Sequence, residues 1–282
     1  MELVVLSGKG GTGKTTIATA LSQLAKQVIK VDCDVDAPNL SLFYKGKNIK
    51  KEEFISGKKA IIDKNKCIKC GKCEEVCRFE AIRNFSVNEF LCEGCTTCSL
   101  VCPQNAITFE DEHIADTFIT DVEQGIISRA IMKPGSDGSG KLITQLRKNA
   151  KQYNKNDDLI IIDGSPGIGC PVISSITGSN AVLIVTEPTK SGVEDMIRTI
   201  SLCEHFGVLT MICINKYDIN LEVACKIEEV AKDRGIKVVG KIPYDDTVIK
   251  SINELKPITY YKESLANKFI KDMWSNIKKI IY

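Results

Sequence analysis

Residues 6–16 read LSGKGGTGKTT, and this stretch decides the fold. An apolar run at residues 3–6 precedes it, and a segment long enough for a helix follows it. The pattern Gly-x4-Gly-Lys-[Ser/Thr] between a strand and a helix is a phosphate-binding loop, because its glycines let backbone N–H groups approach phosphate oxygens. The sequence therefore predicts a P-loop NTPase domain that binds a nucleotide.

Apolar runs of strand length recur through the rest of the chain. They occupy residues 28–31, 159–162, 181–185, 211–214 and 237–242. Because these runs are almost continuously apolar and are separated by helix-length segments, they predict an α/β fold with a doubly wound, mostly parallel sheet. Ligands bind beyond the carboxyl ends of such strands, so we expect the polar residues after each run to form the site.

The loop and the strand ends supply the predicted nucleotide contacts. Lys14 should reach the β- and γ-phosphates, and the Thr15 hydroxyl should bind Mg²⁺. Asp163 directly follows the run at 159–162 and should act on the metal through water. Pro243 directly follows the last run and is expected to contact the nucleotide. The loop residues that we expect to bind nucleotide are Gly8, Lys9, Gly10, Gly11, Thr12, Gly13, Lys14, Thr15 and Thr16.

Eight of the 13 cysteines form a duplicated unit. The first run, C-x2-C-x2-C-x3-C, consists of Cys67, Cys70, Cys73 and Cys77. The second run follows 25 residues later and consists of Cys92, Cys95, Cys98 and Cys102. This spacing holds iron–sulfur clusters through soft thiolate ligands, and in two-cluster ferredoxins the fourth cysteine of each run binds the other cluster.

The repeat therefore predicts two [4Fe–4S] clusters with crossed ligands. One set is Cys67, Cys70, Cys73 and Cys102, and the other is Cys92, Cys95, Cys98 and Cys77. A pair of zinc sites is the alternative, but zinc usually takes two C-x2-C pairs per site. We place a small, inserted ferredoxin-like α+β domain at residues 61–111, between two parts of the nucleotide domain at 1–60 and 112–282.

Charged residues are unevenly distributed around the repeat. The cations around the first run are Lys58, Lys59, Lys64, Lys66, Lys69, Lys72, Arg78 and Arg83. The acidic residues around the second run are Glu89, Glu93, Glu110, Asp111 and Glu112. One hypothesis is that the basic end docks an acidic electron carrier. The alternative is a solvated face of a lysine-rich protein.

The whole chain carries a formal charge of +2, from 38 basic and 36 acidic residues. This balance provides no electrostatic footprint for nucleic acid or an anionic membrane, so we expect neither as a partner. The chain opens without the pattern of an export signal, and no apolar run reaches the roughly 18 residues that a membrane-spanning helix requires. We expect a cytoplasmic protein, in which so many cysteines suit metal or redox chemistry.

The phosphate-binding loop contains a second lysine, Lys9, near its start. It makes GKGGTGK resemble the deviant Walker A motif of the MinD/ParA/Mrp and nitrogenase iron protein class, and the insert resembles that of MinD-superfamily ATPases with an inserted ferredoxin domain. The resemblance covers nearly the whole chain. It implies an Mg²⁺-dependent ATPase that forms an ATP-dependent homodimer, in which Lys9 reaches the partner's phosphates and acts in catalysis with Lys14.

The resemblance also implies roles for two switch segments. In VDCDVDAPN, residues 31–39, Asp34 aligns with the water-orienting aspartate of switch I, and Asp36 is the alternative. In DGSPGIGCP, residues 163–171, Gly167 can offer its N–H to the γ-phosphate and so sense hydrolysis.

Three further features of the sequence each allow two interpretations. Asn215 resembles the asparagine that reads the base in this class, but Asp218 completes NKYD, which also resembles the guanine-reading signature of GTPases and keeps GTP as an alternative to ATP. Cys170 has the offset of a cluster ligand in the nitrogenase iron protein, although a buried apolar cysteine is the ordinary interpretation. The amphipathic C-terminal stretch favours packing against the sheet over membrane contact.

Three functions fit these features. The first is an ATPase that couples nucleotide state to electron transfer through two [4Fe–4S] clusters, with a ferredoxin- or flavodoxin-like protein as donor or acceptor. The second is an ATP-dependent iron–sulfur cluster assembly or carrier protein, as for the Mrp-like relatives. The third is a MinD/ParA-like positioning ATPase in which the clusters sense redox state.

Overall fold

The computed structural model describes residues 1–136, 140–154 and 158–282. Their contacts divide the chain into two compact units. The first unit comprises the described residues of Met1–Glu52, Thr117–Ile131 and Gly138–Tyr282, and the second comprises those of Glu53–Asp116 and Met132–Asp137. The insert expected at residues 61–111 thus lies inside the second unit, which is larger than expected at both ends.

The strands in the described part of the chain are β1 (Glu2–Ser7), β2 (Val28–Asp32), β3 (Gly46–Ile62), β4 (Ile82–Arg83), β5 (Ser86–Val87), β6 (Ile107–Val122), β7 (Gly125–Met132), β8 (Leu159–Pro166), β9 (Ala181–Thr186), β10 (Leu209–Asn215) and β11 (Lys237–Ile242). The helices are α1 (Lys14–Leu24), α2 (Lys72–Glu75), α3 (Thr97–Leu100), α4 (Gly140–Gln152), α5 (Cys170–Ile176), α6 (Lys190–His205), α7 (Leu221–Asp233), α8 (Thr247–Asn253) and α9 (Leu265–Ile281).

Nine strands form one sheet in the order β11-β10-β9-β1-β8-β2-β7-β6-β3. Every neighbouring pair from β11 through to β7 is parallel. Strands β6 and β7 are joined by only two residues, a connection that fits an antiparallel pair. The prediction of a mostly parallel sheet is confirmed, and each predicted apolar run lies within one of its strands.

Strands β3 and β6 explain why the second unit extends beyond the expected boundaries. They are 17 and 16 residues long, and each has residues in both units. Neither length was expected, because β3 reads GKNIKKEEFISGKKAII and lacks a continuous apolar run. It lies at the edge of the sheet, where exposed lysines are common in strands because they discourage pairing with other chains.

The C-terminal helix α9 packs on the sheet, as predicted. Met273 and Trp274 of this helix are buried in the same apolar cluster as Leu3 of β1 and Ile161 of β8. Glycine is required at position 240 of β11, because a Cβ atom there would lie 2.7 Å from Met273 Cβ. No helix among the described residues is long and apolar enough to cross a membrane.

The second unit repeats its own backbone conformation at an interval of 25 residues. Helices α2 and α3 begin at the equivalent residues Lys72 and Thr97. Three pairs of equivalent residues adopt the left-handed conformation with positive φ, which is uncommon outside glycine. These pairs are Lys69 and Gly94, Gly71 and Thr96, and Glu80 and Asn105.

Main-chain hydrogen bonds join the two halves of the repeat reciprocally. The Asp63 N–H donates to Ala106 O at 2.8 Å, and the equivalent Asn88 N–H donates to Ala81 O at 2.7 Å. Each half therefore closes against the other, so that the second unit is one structure built from two copies.

Candidate nucleotide site and two cysteine-lined cavities

The phosphate-binding loop connects the end of β1 to the start of α1. Gly11 and Gly13 have φ values of 80° and 91°, a left-handed conformation that glycine adopts without strain. Asn215, at the end of β10, donates its side-chain N–H to Thr12 O at 2.8 Å. The ends of β1 and β10 therefore both lie next to the loop. Asn215 lies where the base contact is expected, and its hydrogen bond also supports the loop.

Lys14 and Asp34 form an ion pair at the phosphate-binding loop. The Lys14 ammonium is nearly buried, and its Nζ lies 3.5 Å from Asp34 Oδ2. Burial raises the pKa of Asp34, and the charge of Lys14 opposes the increase. Asp36, the alternative for the same role, is exposed. The structure thus brings Asp34 to the loop lysine.

Thr15 and Asp163 form the predicted metal-side pair. The Thr15 hydroxyl donates to Asp163 Oδ2 at 2.6 Å, and the carboxyl group is fully buried at the end of β8. Burial raises the pKa of Asp163 to about 6, although the Lys14 charge and the Thr15 hydroxyl oppose this.

Asp32 lies in the site, although the sequence analysis assigns it no binding or catalytic role. It lies beside Asp163 at the end of β2, opposite it in the register of the sheet, and it is fully buried. Burial raises the pKa of Asp32 far above its usual range, and repulsion by Asp163 and Asp34 adds to the effect. Its position at a strand end was the signal available in the sequence.

Three buried oxygens around the loop lack hydrogen-bond partners among the described residues. They are Thr12 Oγ1, Asp32 Oδ1 and Asp163 Oδ1. A buried polar atom without a partner costs about 1–3 kcal/mol. A site that gathers three of them is therefore suited to bind further polar groups.

Lys9 and Gly167 make contacts within their own chain. Lys9 Nζ lies 3.2 Å from both Thr189 Oγ1 and Ser191 Oγ at the start of α6. The Gly167 N–H donates to Ser7 O at 3.0 Å, with a φ of 93°. In this conformation neither group points its donor at a phosphate-binding position.

A cavity of about 190 Å³ adjoins the loop. Its lining residues are Gly11, Gly13, Thr16, Ile17, Asn215, Lys216, Ile242, Pro243, Tyr244, Asp245, Val248, Ile249, Ile252, Ala266 and Ile270. The mixture of apolar walls and loop glycines fits a nucleotide base and sugar. Asp218, the residue that would read guanine, is not in this lining, and its Oδ1 accepts a hydrogen bond from the Tyr244 N–H at 2.7 Å.

The eight repeat cysteines line two cavities in crossed sets. The first cavity contains Cys67, Cys70, Cys73 and Cys102 in its lining. The second contains Cys77, Cys92, Cys95 and Cys98. The fourth cysteine of each run thus lies with the first three of the other, which is the arrangement that the sequence predicts.

Backbone N–H groups point at sulfur atoms of both sets. Ala81 donates to Cys77 Sγ and Ala106 to Cys102 Sγ, each at 3.3 Å and each four residues after the cysteine. Burial raises the pKa of the Cys73 thiol, while hydrogen bonding with the Thr97 side chain lowers that of exposed Cys95. All eight cysteines are free thiols.

No group of three or more His, Cys, Asp or Glu side chains in the described residues is arranged to hold a single metal ion. Cys170 lies exposed at the start of α5 and lines neither cysteine cavity.

The nucleotide site can be compared with those of known proteins. A model for the CobQ/CobB/MinD/ParA nucleotide binding domain matches residues 3–258. The chain belongs to this family. An uncharacterized protein of Methanocaldococcus jannaschii is 36% identical over 100% of this chain and 98% of its own length.

MinD proteins are among the similar members of the CobQ/CobB/MinD/ParA family. The septum site-determining protein MinD of Buchnera aphidicola is 25% identical over 96% of this chain and 88% of that protein. The structure of MinD from Pyrococcus horikoshii OT3 with Mg-ADP is 18% identical, with a TM-score of 0.61, and covers 99% of this chain and 96% of that chain. At this identity the structural likeness shows a shared fold.

Family membership confirms the MinD/ParA-type P-loop ATPase class. It also bears on the three functions considered above. The MinD relatives carry names that refer to placing the septum and do not mention electron transfer. They therefore support the MinD/ParA-like alternative better than the electron-transfer hypothesis, which depends on the cysteine cavities.

Proposed function

We propose that this chain is a Mg²⁺-dependent ATPase that couples its nucleotide state to electron transfer through two [4Fe–4S] clusters. The observation that carries the proposal is the crossed lining of the two cavities by eight cysteines. Family membership and the loop geometry support ATP binding and hydrolysis. The electron-transfer part depends on the second unit alone.

The nucleotide site fits Mg-ATP. Lys14 would hold the phosphates, and the Thr15 hydroxyl would bind the metal, with Asp163 orienting it through water. The unpartnered Asp163 Oδ1 and Thr12 Oγ1 would gain hydrogen bonds when the site is filled. Asp34 would orient the attacking water once Lys14 turns from it towards the phosphates.

Both cavities fit a [4Fe–4S] cluster. Each supplies four thiols, and N–H groups such as those of Ala81 and Ala106 stabilise sulfur that carries negative charge. When bound, such a cluster stores and releases single electrons.

Coupling between nucleotide and clusters would use the segment after Asp34. The chain passes from β2 through Asp34 into β3, and β3 enters the second unit. A change of this segment between the ATP and ADP states could alter the exposure or the potential of the clusters. Such coupling requires that ATP favour one arrangement over the other.

A MinD/ParA-like positioning ATPase with redox-sensing clusters is the second candidate. The match to MinD proteins over nearly the whole chain favours it. Both candidates predict ATP-dependent homodimers, because Lys9 would reach the phosphates of the partner chain. They differ in whether a redox protein or a cellular surface receives the signal.

Iron content and electron paramagnetic resonance test the proposal. Protein purified without oxygen should contain about eight iron atoms per chain, four for each cubane. Its reduced spectrum or its reoxidation rate should change when Mg-ATP is added, and Lys14→Ala should abolish that change while keeping the iron. Iron-free preparations would refute the cluster assignment. An unchanged spectrum and rate, with binding of vesicles on addition of ATP, would favour the positioning function.

Ligand substitutions test the crossed arrangement. Cys77→Ser should disturb the same cluster as Cys98→Ser, although Cys77 belongs to the other run in the sequence. Cys102→Ser should match Cys73→Ser in the same way. If Cys77→Ser instead matches Cys73→Ser, each run holds its own cluster and the crossed assignment is wrong.

A further inference from the structure

The two cysteine cavities have equivalent edges with different side chains. Residues 68–72, here named the Cys70 edge, read IKCGK, and the equivalent residues 93–97, the Cys95 edge, read EGCTT. Cys70 and Cys95 are both exposed. The backbones match, since Lys69 and Gly94 have φ values of 58° and 60°. The edges therefore differ in chemistry and not in conformation.

The difference is one of charge. Lys69 and Lys72 give the Cys70 edge two cations and no anion, whereas Gly94 and Thr97 are neutral at the equivalent positions. Lys72 lines the first cavity. The Cys95 edge instead carries Glu93, which lines the second cavity where the first has Ile68.

Arg78 adds a cation on the Cys95 side. It belongs to the first run in the sequence, but its guanidinium lies 5.5 Å from the ring centre of Phe79, which lines the second cavity. Its charge is opposite to that of Glu93, which lines the same cavity. Of the eight cations around the first run, Arg78 is therefore assigned to the other cavity.

Most other cations of the repeat already have acidic partners. The ion pairs are Lys58 with Asp111, Lys59 with Glu112, Lys66 with Asp63 and Arg83 with Glu80. Lys69 and Lys72 are exposed, and neither forms an ion pair with any residue in the described ranges. Their charges can bind an external acidic group without breaking a contact inside the unit.

We propose that the Cys70 edge is the docking surface for an acidic one-electron carrier protein. Ile68, whose surface is 60% exposed, adds an apolar side chain to the two lysines of this edge. Positive charge there steers an acidic partner to the first cavity, while Glu93 disfavours the same partner at the second. Only an electron would cross the contact, so no bond forms or breaks.

This inference depends on the proposed clusters, but binding can be measured separately. The probe is an acidic flavodoxin, titrated into anaerobically purified, iron-loaded protein at low and at high ionic strength. The test variant is Lys69→Gly/Lys72→Thr, which gives the Cys70 edge the residues of the Cys95 edge. Glycine suits position 69 because of its positive φ, and threonine already begins the equivalent helix α3.

The control variant is Lys268→Gln/Lys271→Gln, which removes two exposed charges from α9. At low ionic strength we expect the test variant to weaken flavodoxin binding about tenfold or more, which corresponds to about 1.4 kcal/mol. The salt dependence should flatten, because screening acts on the charges that were removed. The control variant and a Glu93→Ile variant should bind at least as tightly as the wild type.

Equal binding by the test variant, equal loss in the control, or no binding by the iron-loaded wild type would overturn the docking surface. Iron content and the spectrum of the reduced protein are recorded for each sample. If the wild type lacks iron, the proposed function fails. If the clusters are intact and only the expected binding pattern is missing, the docking inference fails and the proposed function stands.

Discussion

Lys9 Nζ lies 3.2 Å from Thr189 Oγ1 of its own chain. Ser191 Oγ lies at the same distance, so two hydroxyls at the start of α6 hold this ammonium group. The resemblance to the MinD/ParA class implies that Lys9 serves the phosphates of a partner chain. If Lys9 leaves these hydroxyls to reach a partner's phosphates, the internal contacts compete with dimer formation.

Ser191→Ala should therefore strengthen ATP-dependent dimerisation. It removes one of the two internal acceptors of Lys9, and we expect the dimer to form at a severalfold lower protein concentration in sedimentation experiments with ATP. Ser201→Ala, an exposed change on the same helix, serves as the control. Weaker dimerisation in the Ser191 variant would show that Ser191 supports the dimer instead of opposing it.

Thr189 is less suitable for this test. Its Oγ1 also accepts a hydrogen bond from the Gly192 N–H at 3.0 Å and so caps α6. Loss of such a cap costs about 1 kcal/mol of stability. A change in Thr189 would mix the effect on Lys9 with a loss of folding stability.

Asp163→Asn should weaken Mg²⁺-dependent nucleotide binding. The carboxylate holds the Thr15 hydroxyl at 2.6 Å, and groups that orient a metal ligand in this way contribute about 10–100-fold to metal affinity. Titration of a fluorescent ATP analogue with and without Mg²⁺ measures the effect. Asp233→Asn, an exposed change on α7, is the control. Identical Mg²⁺ dependence in both variants would remove Asp163 from the metal site.

Lys30 should make the stability of the protein depend on pH above neutrality. This residue is fully buried in β2, and its ammonium donates to Gln124 O at 2.7 Å. Burial lowers its pKa to about 8 from 10.5. The unfolded chain therefore binds more protons between these values, and the free energy of unfolding should rise with pH, by at most about 1.4 kcal/mol per unit.

Urea unfolding at a series of pH values checks this expectation. Lys30→Met keeps most of the side-chain volume and should remove the rise between pH 8 and 10.5. An exposed change, Lys47→Met, should keep it. If the curves of the wild type and Lys30→Met stay parallel over this window, the buried ammonium is not the cause.

Gly240→Ala should destabilise the packing of α9 on β11. The new methyl group would lie 2.7 Å from Met273 Cβ, so the helix must shift, at a cost of about 1–3 kcal/mol. Chemical unfolding measures the loss. In the double variant Gly240→Ala/Met273→Gly, the combined loss should be smaller than the sum of the two single losses, because glycine removes the Cβ atom that the new methyl group meets. Full additivity would contradict the close contact.

The sequence predicted the sheet and the cysteine sets because both follow local patterns. The apolar run at 159–162 predicts a strand, and the glycine-rich loop that ends at Lys14 predicts the start of a helix. The fixed spacing of the cysteines predicts the two sets of cluster ligands.

The remaining features depend on distant parts of the chain. Nothing local distinguishes Lys30 inside VIKV as a fully buried ammonium, because its acceptor, Gln124 O, lies 94 residues away. Asp32 belongs to the site because it lies beside Asp163 on the neighbouring strand. β3 lies at the edge of the sheet and is mostly exposed, so its length leaves no apolar pattern in the sequence.

The left-handed residues at equivalent places in the second unit preserve a record of its ancestry. A gene segment copied once yields two identical halves, and the shared geometry of Lys69 with Gly94 and of Gly71 with Thr96 shows that the main chain around the cysteine runs stayed the same while the side chains diverged. Two positions that began as duplicates could then acquire separate duties without any new architecture.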